Sequence, residues 1–227
     1  MQSMDTDSRT LTVVLVNPNT NSATTEMMTQ LAQHSAGRSG ITVEAATVDY
    51  GPSMIIEPDA LAQSADAVIQ CIAQRVDAGP LDAVIVSAIG DPGRDELEAS
   101  LDIPVVGIGQ AAILEASAGG RPFAMATTTH ELADSLRGLV HHYGCGENFT
   151  GVFLTRSAPL ELASNPDAQE IELREAVEAA VAAGAQAVII AGGPLSETAR
   201  RLRQTTSAVI VEPIPAAMAR VEELLNR

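Results

Sequence analysis

The chain has no lysine and no tryptophan, two cysteines, and aromatic residues at 2% of its 227 positions. Without lysine there is no Schiff base, which excludes lysine-dependent aldolases and pyridoxal-phosphate chemistry. A Walker-type phosphate loop is excluded for the same reason. Two cysteines, Cys71 and Cys145, make neither a disulfide scaffold nor a zinc site. Basic charge is scarce as well: 13 arginines face 29 acidic residues, for a formal net charge of -16. That field repels polyanions and anionic bilayers, so no nucleic-acid or membrane partner is expected. No apolar run reaches the roughly 18 residues of a membrane span. The N-terminal MQSMDTDSRT carries no apolar signal region, which points to a cytoplasmic protein.

What is present is core material: 46% hydrophobic and 19% charged residues, a globular rather than a disordered balance. Short continuous apolar runs alternate with alanine-rich stretches of helical period. Strands are expected at 11–17, 42–48, 83–87, 105–108, 123–127, 149–154, 187–191 and 208–211. Helices are expected at 21–34, 59–78, 131–143, 167–183, 196–204 and 215–225. Strands without polar alternation belong to parallel sheets covered on both faces. The expected class is therefore α/β, doubly wound and flavodoxin-like.

The chain also reads as duplicated. DAVIVSAIGDPG (82–93) matches QAVIIAGGPLSE (186–197), IPVVGIGQAA (103–112) matches AVIVEPIPAA (208–217), and VVLVNPNTNS (13–22) matches FAMATTTHEL (123–132). The nearly constant offset implies two pseudo-symmetric lobes, 11–108 and 109–211, with the C-terminal segment 212–227 packing back on the first. Ligands of such folds sit in the crevice outside the carboxyl ends of the strands.

Four strand ends stand out there. After the first strand come Asn17, Pro18, Asn19 and Thr20. Either they make a turn and helix cap, or Asn17 offers its amide to a ligand beside a helix N-terminus. The loop Ser87-Ala88-Ile89-Gly90-Asp91-Pro92-Gly93 has glycines that let backbone amides approach a ligand, while Asp91 can cap the following helix. Thr127, Thr128 and Thr129 form a hydroxyl cluster, either a carboxylate cradle or a cap. His130 beside them is a surface residue or a general base. Gly192, Gly193 and Pro194 make either a tight turn or a loop whose amides bind an oxyanion. Elsewhere, Glu170, Glu172, Glu175 and Glu178 read as a solvated helix face, Cys71 as buried packing and Cys145 as a loop thiol with no base to activate it. Adjacent His141 and His142 share no helix face, and no metal or organic cofactor is indicated.

VNPNT (16–20), Gly51-Pro52, GDPG (90–93), DIPVVGIGQAA (102–112), ATTT (126–129) and VEPIPAA (211–217) together resemble the aspartate/glutamate racemase superfamily, closest to its hydantoin and allantoin racemase branch. The motifs cover the chain from about residue 11 in the family's order. The resemblance implies two lobes with a cleft between them, cofactor-independent chemistry and a homo-oligomer. Its substrates are small carboxylates, hydantoins or ureides. It also implies two cysteines, one per lobe, that remove and return a proton on opposite faces of the substrate carbon. The matching positions here are Ala88 and Gly192, which carry no thiol.

Three readings follow. The first is an enzyme such as an isomerase, decarboxylase or lyase without the thiol pair. His130, Asp91 and Glu212 are its candidate acid–base groups. Thr127, Thr128 and the amides of Ile89, Gly90 and Gly193, beside Pro194, would hold the substrate, and Asn17 would orient it. The second is a non-catalytic binder of a small acid or ureide. The third is a racemase depleted of its cysteines, which Ala88 suits and the Gly-Gly-Pro setting of Gly192 does not. The full match of the remaining cleft motifs favours an enzyme.

Overall fold

A computed structural model of the chain describes residues 9–37 and 40–226. The first eight residues of the polar N-terminal stretch, and Arg227 at the end of the C-terminal segment, lie outside the described residues. The strands are β1 (Leu11–Asn17), β2 (Ile41–Thr47), β3 (Ala83–Val86), β4 (Val105–Gly107), β5 (Phe123–Thr127), β6 (Phe149–Leu154), β7 (Ala187–Ile190) and β8 (Val209–Val211). They form two four-stranded parallel sheets, ordered β2-β1-β3-β4 and β6-β5-β7-β8. The order is the same in both. Val13 pairs with Val43 and Ala83, and its counterpart Phe123 pairs with Phe149 and Ala187.

The helices are α1 (Ser22–Ser35), α2 (Pro58–Ala78), α3 (Arg94–Ser100), α4 (Ile108–Ala116), α5 (Ala133–His142), α6 (Pro159–Ala163), α7 (Pro166–Ala182), α8 (Ser196–Leu202) and α9 (Pro213–Leu225). Their starts follow the local sequence. Asn21 caps α1 by accepting from the Thr24 amide at 3.2 Å, and Asn165 caps α7 through Ala168 at 3.2 Å. Proline opens α2, α6, α7 and α9, where its missing N–H costs nothing.

Three helices were not legible in the sequence. β4 ends at Gly107, and Ile108, read above as strand, opens α4. That helix buries Ile108, Ala111, Ala112, Ile113 and Ala116 and exposes Leu114 beside Glu115, so its open side is partly apolar and the sequence shows no clean amphipathic stripe. α3 and α6, of seven and five residues, are too short to show a period. The stretch 131–143 divides into a 3-10 turn, His130–Leu132, and α5.

One continuous core joins the lobes. It holds Leu15 and Ile85 from the first sheet, Phe123 and Met125 from the second, and Ile113, Leu136 and Met218 from α4, α5 and α9. Side chains of this size each contribute roughly 1.5–3 kcal/mol on burial. The far faces are covered separately, the first sheet by α2 and the second by α7 and α8. α9 packs against α1 and α4. The α7 acidic run is not uniformly solvated. Glu170 pairs with Arg174 and Arg201 and Glu175 with Arg156, while Glu172 is buried because it holds the backbone of the β6–α6 loop. Among the described residues no helix is long and apolar enough to cross a membrane.

Candidate functional site

The order of each sheet puts its topological switch point between the central strands, β1 and β3 in one lobe and β5 and β7 in the other. The four loops leaving those strands converge on one cavity of about 760 Å³, counting its open mouth. Asn19 and Thr24 come from the β1–α1 turn. Ser87, Ala88, Ile89 and Gly90 follow β3. Thr128, Thr129 and Leu132 follow β5. Ala191, Gly192, Gly193, Pro194 and Leu195 follow β7. Met54, Ile55 and Leu61 from the approach to α2, Pro159 and Ala163 of α6, and Gln169 of α7 complete the wall.

Ala88 and Gly192 therefore line the same cavity from opposite lobes. The lobes are in close contact there: a Cβ on Gly193 would come within 2.5 Å of the Met28 sulfur of α1. Gly192 is different. Its φ of 173° is ordinary extended backbone, and a Cβ would meet only the Leu195 side chain, at 3.0 Å. No residue lining the cavity carries a side chain that ionises near neutral pH. The amides of Ile89, Gly90 and Gly193 donate no hydrogen bond within the described part of the chain. A ligand would meet hydroxyls, free amides and apolar walls, with no fixed charge.

Other sequence-predicted residues support the cavity from outside its lining. Asn17 is fully buried, and its amide nitrogen is shared among the Asn19 side chain, the Asn21 carbonyl and the Thr25 hydroxyl at 3.0–3.1 Å. It shapes the turn that presents Asn19. Thr127 is also fully buried. Its hydroxyl donates to the Ala191 carbonyl at 2.9 Å and lies 2.9 Å from the Thr129 hydroxyl, tying the β5 loop to the β7 loop. Ser87, which received no role from the sequence, donates to the Val16 carbonyl at 2.8 Å and does the same for β3 and β1.

The three candidate acid–base groups lie apart. His130 lines a neighbouring depression with Ile56, Glu131 and Pro159, and Pro159 is the wall it shares with the main cavity. Its Nε2 is buried without a partner. Glu212 is buried and paired with Arg203 at 2.7 Å. Asp91 does not cap the helix that follows it. Its carboxylate turns to the start of α4, accepting from the Gly109 amide at 2.8 Å and the Gln110 amide at 2.6 Å, and from the Tyr143 hydroxyl at 2.9 Å. Burial pushes its pKa up to about 7, against the opposing pull of those donors and of Arg94.

The cysteines stand elsewhere. Cys71 packs against the α2 core, its thiol pushed up by burial and by Asp49. Cys145 accepts from the Ser117 hydroxyl at 3.4 Å. His142 finds a carboxylate partner, Asp95 at 2.9 Å, that the sequence could not place. Among the described residues no group of three or more histidine, cysteine or acidic side chains could hold a metal ion.

Two matched parallel lobes with a shared cavity at their paired switch points define a two-lobed α/β class. The model of the Asp/Glu/Hydantoin racemase family matches residues 13–221, and the chain belongs to that family. It is 25% identical over 214 residues to a hydantoin racemase of Paenarthrobacter aurescens, covering 94% of this chain and 90% of that one. It is 26% identical over 215 residues to a hydantoin racemase of Pseudomonas sp. (strain NS671), covering 94% and 86%. The solved structure of an allantoin racemase from Pseudomonas fluorescens superposes with a TM-score of 0.90 at 25% identity, over 95% of this chain and 91% of that one.

Proposed function

We propose that this chain is a cofactor-independent enzyme acting at an acidic C–H or C–C bond of a small hydantoin, ureide or carboxylate, without a pair of thiols. The supporting observation is the composition of the cavity. The free amides of Ile89, Gly90 and Gly193 and the threonines Thr128 and Thr129 meet there, with no charged side chain among the lining residues. Fixed donors of this kind stabilise the enolate-like charge that develops when such a bond breaks, and that is often the largest catalytic contribution. An uncharged lining suits a neutral ring better than a carboxylate, which would give up its hydration with no cation to replace it. Within this reading, hydantoins and ureides rank above free amino acids.

Ala88 and Gly192 cannot carry a proton, so the base must be another group. His130 borders the cavity through Pro159 and is the candidate of choice. The same lack of ionisable groups favours a second reading, a binder that closes on a hydantoin or ureide and does no chemistry.

Proton NMR in D2O separates the two. With catalytic amounts of protein, the panel is 5-substituted hydantoins, allantoin, aspartate, glutamate and substituted malonates. Exchange of the α-proton supports the enzyme. Loss of a carbon identifies a decarboxylase. Line broadening without turnover supports the binder, and silence across the panel overturns both readings.

A further inference from the structure

Asp91 lies outside the cavity, and the chemistry proposed above does not use it. Yet it is among the most constrained residues of the chain. It is the one non-glycine residue among those described with positive φ, at 50°, a conformation disfavoured for L side chains. It is buried, and its carboxylate is held by three donors from two other elements. Two of them are amides of the first turn of α4. The third, Tyr143, ends α5 in the second lobe. Space for the carboxylate exists because Gly107 and Gly109 have no side chains: a Cβ on either would overlap or crowd it. The loop that carries Asp91 carries Ala88, Ile89 and Gly90 into the cavity.

We propose that Asp91 is the positioning residue of this cavity, its carboxylate locking the Ala88–Ile89–Gly90 wall to α4 and, through Tyr143, to the second lobe. The ionised carboxylate accepts from all three donors. Once protonated, one oxygen carries hydrogen and becomes a poor acceptor for the Gln110 amide or Tyr143. The lock is therefore proton-sensitive, set in its full form above the pKa of about 7 and loosened as the pH falls through it. The charged groups around it are Arg94, committed to Asp95 and Glu98, and the Asp95–His142 pair beside Tyr143. The inference rests on the proposed function only for the ligand used to probe it.

The test is amide NMR of the full chain across neutral pH, with 5-isopropylhydantoin as the binding probe. As the pH falls, the Gly109 and Gln110 amides shift together. Ile89 and Gly90 follow with the same midpoint, and the probe binds more weakly over the same window. Tyr143→Phe removes a donor that favours the carboxylate, so it moves that midpoint to higher pH, while His142→Asn leaves it in place. Asp91→Asn flattens the pH profile and weakens the probe on the order of tenfold, the equivalent of one lost hydrogen bond. If Asp91→Asn does not fold, Tyr143→Phe decides. Titration of Gly109 and Gln110 with Ile89 and Gly90 silent, or a midpoint unmoved by Tyr143→Phe, overturns the proposal. If the probe never binds, the hydantoin arm of the functional reading fails, and the amide shifts still decide the role of Asp91.

Discussion

Gly109 lies so close to the carbonyl oxygen of Ile89 that no Cβ fits between them, and the same Cβ would come within 2.9 Å of the Asp91 carboxylate and of Leu139. The two motifs GDPG and IPVVGIG are thus one interlocked structure. The loop of the first occupies volume that the glycines of the second leave open.

Gly109→Ala should therefore destabilise the chain by about 1–3 kcal/mol, the usual cost of overpacking. The control is Gly138 in α5, whose Cβ would meet nothing within 4 Å. Gly138→Ala should be neutral or stabilise by up to about 1 kcal/mol through the backbone entropy of the unfolded chain. Urea unfolding measures both, and equal effects of the two substitutions would contradict the interlock.

Ala88 and Gly192 line the cavity from opposite lobes; Gly192 is in extended backbone, and Ala88 is not among the described residues with positive φ. The double variant Ala88→Cys, Gly192→Cys should fold after a small shift of Leu195. It should then accelerate α-proton exchange of a 5-substituted hydantoin by at least about 100-fold, the lower range for a positioned acid–base group. Circular dichroism of an enantiopure hydantoin follows the change. A folded double variant with no gain would mean that thiols at these positions do not flank the substrate carbon.

Glu172 accepts from the amides of Arg156 and Ser157 at 2.8 Å and from the Ser157 hydroxyl at 2.7 Å. These donors hold its pKa below the ordinary carboxylate value. A depressed folded pKa means stabilisation that is present above the unfolded pKa and lost as the pH falls through the folded one. Glu172→Gln should lower the melting temperature at neutral pH, and the gap to the parent chain should close in acid. The loop it holds leads into α6, which gives Pro159 and Ala163 to the cavity. A gap independent of pH would show that the carboxylate charge plays no part.

The sequence alone determined the fold class and marked the strand-end loops that gather around the cavity. Continuous apolar runs such as 83–86 and 187–190 specify parallel strands because both faces must be buried. The Asn, Gly and Thr clusters mark their loops because turns need those residues. Roles within the site were decided by tertiary structure. Asn17, Thr127 and Asp91 carry polar groups that the sequence offers to a ligand. Their partners Thr25, Ala191 and Gly109 lie 8, 64 and 18 residues away, and only the folded chain brings them close enough to occupy those groups. Glu172 belongs to a run of acidic residues that looks uniformly solvated until the β6–α6 loop packs on it. α4 gave no clear helical signal because its open side carries the apolar Leu114 beside Glu115, and periodicity records a helix only when the side that meets water is polar.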